Sequence, residues 1–190
     1  IVAPAGATSY ATPMVGSAAA FLLDTAAGNG AYANASNSIT VKALLMAGAT
    51  KDEFPTWDRT HTRPIDEVYG AGELNIYRSY HTLVAGEQDA SASSLVGLTG
   101  WDYGATTGDD LLWFFDIGAG SVLDELSAIV AWNREITDGD SGTGWGEPQS
   151  HLANLDLELW SADGFTLNTQ LDYSASTVDN VSSSKFRNLI

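Results

Sequence analysis

One serine in this sequence stands in a setting that covalent chemistry could use. Ser9 lies within Gly6-Ala7-Thr8-Ser9-Tyr10-Ala11-Thr12-Pro13-Met14-Val15, at the entrance to an apolar, proline-started helix. Backbone N–H groups at a helix start lack intrahelical partners, and that end of the helix dipole is positive. Both favour the oxyanion of a tetrahedral intermediate formed when a hydroxyl attacks a carbonyl. Ala7 and Ala11 are small enough to leave room for a substrate backbone. The same position also suits a plain N-terminal cap, so the serine alone leaves both roles open.

Other residues that could do chemistry are fewer and more scattered. There is no cysteine, which excludes disulfides, thiolate nucleophiles and cysteine-ligated zinc or iron–sulfur sites. His61, His81 and His151 fall in a loop, on a helix face and beside a strand, ordinary places that require no catalytic role. Asp109-Asp110 and Asp138-Gly139-Asp140 could offer oxygen ligands to a structural Ca²⁺, but they lack the spacing of an EF-hand and read as turn aspartates. No metal site or cofactor is therefore assigned. Trp101, Trp113, Trp132, Trp145 and Trp160 invite a carbohydrate platform, although strand tryptophans ordinarily fill cores.

The elements that would position Ser9 are written in two styles. A helix is expected from Thr12, with Thr12 as N-cap and Pro13 at the first helical position, running to a stop at Gly28–Gly30. It is apolar or small on every side, which predicts burial all round. Further helices are expected over Asn37–Ala47 and Asn75–Val84, with Asp52–Glu67 as a polar surface excursion between them. After Gly86 the period becomes two: Leu111–Ile117, Leu126–Trp132 and Leu155–Trp160 read as strands separated by Gly, Asp, Asn and Ser clusters. In Asn154-Leu-Asp-Leu-Glu-Leu-Trp the leucines take one face and the acids the other. Lys185–Ile190 reads as a strand lead-in with no strand after it, so the β part is expected to be cut short.

Composition bounds the partners. With 24 acidic and 8 basic residues the chain carries a net charge of −16, and its cations stand singly, which argues against nucleic acid. At 44% hydrophobic and 10% aromatic it can fill a core. Residues 1–23 carry no charge, but Pro4, Pro13, Gly6 and Gly16 and the lack of basic flanks argue against a membrane span or a signal peptide. The chain begins at Ile1 and reads as a fragment.

Thr8-Ser9-x-Ala11-Thr12-Pro13-x-Val15 resembles the active-serine signature of the subtilases, the subtilisin-like serine proteases. Ile1-Val-Ala-Pro4 is similar to the family's Ala-Pro segment, Val41-Lys-Ala-Leu-Leu45 to the helix after the serine, and Gly70-Ala-Gly-Glu-Leu-Asn75 to the start of its last helix. Ser127-Ala-Ile-Val-Ala-Trp-Asn133 and His151-Leu-Ala-Asn-Leu-Asp-Leu-Glu-Leu159 are similar to strands of jelly-roll domains that follow some bacterial subtilases. Ala7 and Ser17 replace glycines of the pattern, and the stretch between Ala-Pro and the serine is short.

The resemblance implies an α/β fold fragment over 1–88, the C-terminal part of a subtilisin-like parallel-sheet domain and mainly helices here. An all-β, jelly-roll-like sandwich then follows over 89–190. It implies Ser9 as nucleophile, with its own N–H in the oxyanion hole, protein or peptide substrates, and a secreted or cell-surface location. In the family the Asp, the His and the oxyanion Asn precede the serine, and none of the eight residues before Ser9 is one of these. The 190 residues alone are therefore expected to be inactive. The alternative expectations are a degenerate protease acting as a secreted binding protein through its β part, and a purely structural surface module.

Overall fold

In the computed structural model, which describes residues 8–106, 108–121, 123–137 and 149–189, the uncharged opening run becomes helix α1, Thr8–Ala27. Ala, Leu, Met and Phe favour helix, and the hydroxyls inside it are satisfied locally: Ser17 Oγ donates to Pro13 O at 2.7 Å and Thr25 Oγ1 to Phe21 O at 2.9 Å. Two expectations are corrected. The helix starts at Thr8 rather than after Thr12, so Pro13 lies inside it. Proline has no N–H, which leaves the Ser9 carbonyl without its usual donor four residues on; close to an exposed helix start, water can take that place. Nor is α1 buried all round: only Ala18, Leu22 and Ala26 are buried, while Tyr10, Met14, Val15, Phe21 and Leu23 are exposed. The buried residues are four apart, one row of the helix, flanked by Ala19 against the core and by Phe21, whose ring lies 5.6 Å from that of Tyr80.

The chain packs as two units, the first made of Ile1–Pro55 with Ala71–Ser121 and the second of Thr56–Gly70 with Val122–Ile190. In the first, α1 leads through a short 3-10 helix, Gly30–Ser36, to α2, Ser38–Gly48; α3, Ile76–Ala85, follows later. Asn29 and Asn75 cap the 3-10 helix and α3, with Asn75 Oδ1 accepting from Arg78 N at 3.0 Å. The core is Leu22, Ala26, Ala35, Val41, Leu44 and Leu83, with Tyr32, Tyr80 and Trp101 packed against it. Each fully buried leucine contributes about 1.5–3 kcal/mol. Helices α2 and α3 cross closely at Gly48, where an added Cβ would lie 2.7 Å from Ser79 N.

Residues 86–121 pack with these helices rather than with the strands that follow. Leu111–Ile117 is not the expected strand: it joins Leu95 through one isolated parallel bridge at Phe114. Phe114 is the buried residue of that run, so a single inward side chain, not a repeated face, holds it. The segment is fixed point by point: Val96 N donates to Phe114 O at 2.7 Å, and Ser91 N to Leu112 O at 2.7 Å.

Among the described residues the second unit holds three two-stranded antiparallel sheets. β1, Leu123–Ala131, pairs with β6, Val181–Leu189; β2, Glu135–Thr137, with β3, Gln149–His151; and β4, Leu157–Asp163, with β5, Thr166–Ser174. The β4–β5 hairpin turns at Gly164, whose φ of 59° favours glycine. Leu155, Leu157 and Leu159 are half-buried and Asp156 and Glu158 exposed, the alternation expected of a one-sided sheet. Residues 185–189, expected as a lead-in without a strand, belong to β6. Buried serines bind the pairs together: Ser182 Oγ donates to Leu155 O at 3.0 Å and Ser174 Oγ accepts from Ser183 N at 3.3 Å. The helices-then-strands order is as expected.

Candidate functional site

Ser9 occupies the first turn of α1, and its side chain is exposed together with those of Thr8 and Tyr10. Among the described residues its hydroxyl makes no hydrogen bond. The N–H groups of residues 8–10 have no acceptors within the helix, because the acceptors would lie before its first bonded carbonyl. No acidic residue stands in this turn to offset the positive end of the dipole. The place can therefore stabilise negative charge next to an accessible hydroxyl. Ala11, two residues on and likewise exposed, adds little bulk to this turn.

No histidine joins it. His81, in the same unit, is exposed on α3 and packs edge-on to Tyr77, with ring centroids 4.3 Å apart, and to Tyr80 at 5.7 Å. His61 and His151 belong to the other unit, His151 in β3 opposite Glu135. The first unit thus offers Ser9 a helix terminus without an assembled base.

The remaining sequence candidates are used structurally. Trp101 Nε1 donates to Leu83 O at 3.0 Å, Trp132 Nε1 to Ala153 O at 2.8 Å and Trp160 Nε1 to the Glu158 carboxylate at 2.8 Å. Trp113 Nε1 is shared between Gln88 O and Asp102 Oδ2, both at 3.1 Å. Trp145, Asp138 and Asp140 lie outside the described residues. Among the described residues no group of three or more His, Asp or Glu side chains is arranged to hold a metal ion.

A polar cluster that sequence reading missed lies in the second unit. Asp172 of β5, nearly buried, forms an ion pair with Arg59 and receives His61 Nε2 at 3.2 Å. His61 stacks on Tyr173 with centroids 3.9 Å apart and planes 19° from parallel. Burial pulls the Arg59 guanidinium below its ordinary pKa. Next to this cluster, Asp66 organises its own loop. It accepts from Tyr69 N at 2.8 Å, Asp58 N at 2.9 Å and Val68 N at 2.7 Å, and these backbone donors, Tyr69 foremost, hold its carboxyl below the usual range, with Arg63 adding to them. The partners of Asp172 stand more than a hundred positions away in the sequence, as Arg59 and Tyr173 do at a separation of 114. The one local sign was the concentration of Arg59, His61 and Arg63 in an otherwise acidic chain. No family model, no curated protein and no solved structure matches this chain.

Proposed function

We propose that this chain carries the nucleophile of a subtilisin-like serine endopeptidase, with Ser9 forming the acyl-enzyme during peptide-bond hydrolysis. The reading rests on the resemblance of Thr8-Ser9-x-Ala11-Thr12-Pro13-x-Val15 to the subtilase signature. The observation that carries it furthest is the exposed Ser9 hydroxyl in the first turn of a 20-residue helix. A serine packed inside would have been inert; an accessible one beside unpartnered N–H groups is suited to attack and to charge stabilisation. In this proposal the Ser9 hydroxyl loses its proton to a histidine outside these 190 residues as Oγ bonds to the substrate carbonyl carbon. The histidine then protonates the leaving amine, and water releases the acyl group. The β unit is the jelly-roll-like appendage of a secreted enzyme and performs no proteolytic chemistry.

Casein turnover tests this. The protein extended by its native upstream sequence hydrolyses casein, and Ser9→Ala abolishes that activity, while the 190 residues alone do not hydrolyse it. Casein hydrolysis by the extended protein that survives Ser9→Ala rules the proposal out. An extended protein without activity favours the alternative, a degenerate protease that binds a partner through its β unit.

A further inference from the structure

The excursion between Thr50 and Glu73 has two separate sets of holds. Its ends are pinned in the first unit by a reciprocal bridge, Thr50 N to Glu73 O at 2.9 Å and Glu73 N to Thr50 O at 2.7 Å. Its middle, Thr56–Gly70, packs in the second unit. Between these, the segment keeps its own shape: Asp66 gathers three backbone N–H groups, Trp57 Nε1 donates to Gly70 O at 2.9 Å, Thr60 and Arg63 form a bridge, and Arg63 pairs with Asp58 at 3.0 Å.

Its polar holds gather on one short stretch at the end of β5 and the start of β6, and Pro64 is fully buried among them. Asp172 takes Arg59 and His61; Arg59 Nη1 also reaches Tyr173 O at 3.4 Å; His61 covers the Tyr173 ring. Ala175 N donates to His61 O at 2.6 Å and Ser183 Oγ donates to Pro64 O. We propose that residues 56–70 form a preshaped strap that docks on β5–β6 and leaves it as one piece, with Asp172 as the catch. A segment that keeps its own internal bonds can open locally as one cooperative piece while the rest of the unit stays folded. Asp172 is the catch because it supplies the negative charge for Arg59, whose side chain is only 11% exposed. Without that charge Arg59 is a nearly buried, uncompensated cation, and it regains its solvation when the strap leaves.

Trypsin reads the strap directly, because cleavage of a locally opened segment follows the population of the open form. Arg59–Thr60 is a cleavable bond inside it, whereas Arg63 precedes Pro64 and resists. In the intact chain, Asp172→Asn should raise cleavage after Arg59 by about tenfold or more, with cleavage after Arg78 in α3 and amide exchange in β1 and β4 unchanged. His61→Ala, which keeps the Arg59–Asp172 pair, should raise it by about threefold. Unchanged cleavage after Arg59 in both variants overturns the proposal. So does loss of amide protection across β1 and β4 together with the strap, because the segment would then be an inseparable part of that unit.

Discussion

Gly16→Ala and Gly48→Ala make the same chemical change in two helices and should move stability in opposite directions. Alanine gains about 0.5–1 kcal/mol over glycine within a helix, because the glycine backbone loses more freedom on folding. At Gly16, on the exposed side of α1, a Cβ meets nothing within 4 Å, so the gain is realised in full. At Gly48, the last residue of α2, the same Cβ lies 2.7 Å from Ser79 N and 3.0 Å from Ser79 Cα. These are backbone atoms of α3. Ser79 is fully buried, and its N–H and Oγ both bond to Asn75 O, at 3.1 Å each, so it has little room to yield. Overpacking of this kind costs about 1–3 kcal/mol; from the middle of that range, with the helix gain of about 0.5–1 kcal/mol taken off, the net loss is about 1–1.5 kcal/mol. Urea unfolding followed by far-ultraviolet ellipticity, dominated by the helices of the first unit, reads both. With a slope of about 1–3 kcal/mol per molar, the midpoint for Gly48→Ala falls by roughly 0.5–1 M while that for Gly16→Ala rises by a few tenths. A Gly48→Ala protein as stable as Gly16→Ala would refute the close crossing of α2 and α3.

Leu44→Ala removes a side chain that is 2% exposed in the helical core, and a loss of about 2–5 kcal/mol is expected in the same urea experiment. Asn75→Ala deletes the acceptor for Arg78 N and should destabilise α3 by about 1 kcal/mol, read as faster amide exchange across Ile76–Ala85. Acidification tests Asp66: its folded pKa is depressed, so its contribution is fully present above the ordinary aspartate value near 3.9 and is lost as pH falls through the lowered value. Trp57 fluorescence against pH should show that loss in the wild type and a shallower acid limb in Asp66→Asn.

What the sequence disclosed depended on how local the cause was. Helices α2 and α3 were legible because the one-sided apolar stripe that marks each lies within the segment itself. The alternation of Leu155, Leu157 and Leu159 with Asp156 and Glu158 marked β4 for the same reason, although the strand starts at Leu157 rather than Leu155. In α1 the proline misled: it suits a helix start so well that Thr8–Ala11 were read as lead-in and Thr12 as the cap, yet five helical residues precede it. The absence of charge in α1 was read as burial, but burial needs partners, and a single row of Ala18, Leu22 and Ala26 finds them. Leu111–Ile117 has strand-like letters but a single bridge, at Phe114, and a strand is defined by continuous pairing. The Asp172 cluster and the serine network of β5 and β6 join residues distant in the sequence, so no local pattern announced them. Ser9 itself was picked out by its neighbours, and its exposure on the first turn of α1 came only with the structure.

The central claim is that Ser9 is a nucleophile. A fluorophosphonate probe, which phosphonylates an activated serine Oγ with loss of fluoride, addresses it most directly when applied to the protein extended by its native upstream sequence. One adduct is predicted, mapped by mass spectrometry to Ser9 and absent from Ser9→Ala. No adduct, or one that persists when Ser9 is alanine, would contradict the account.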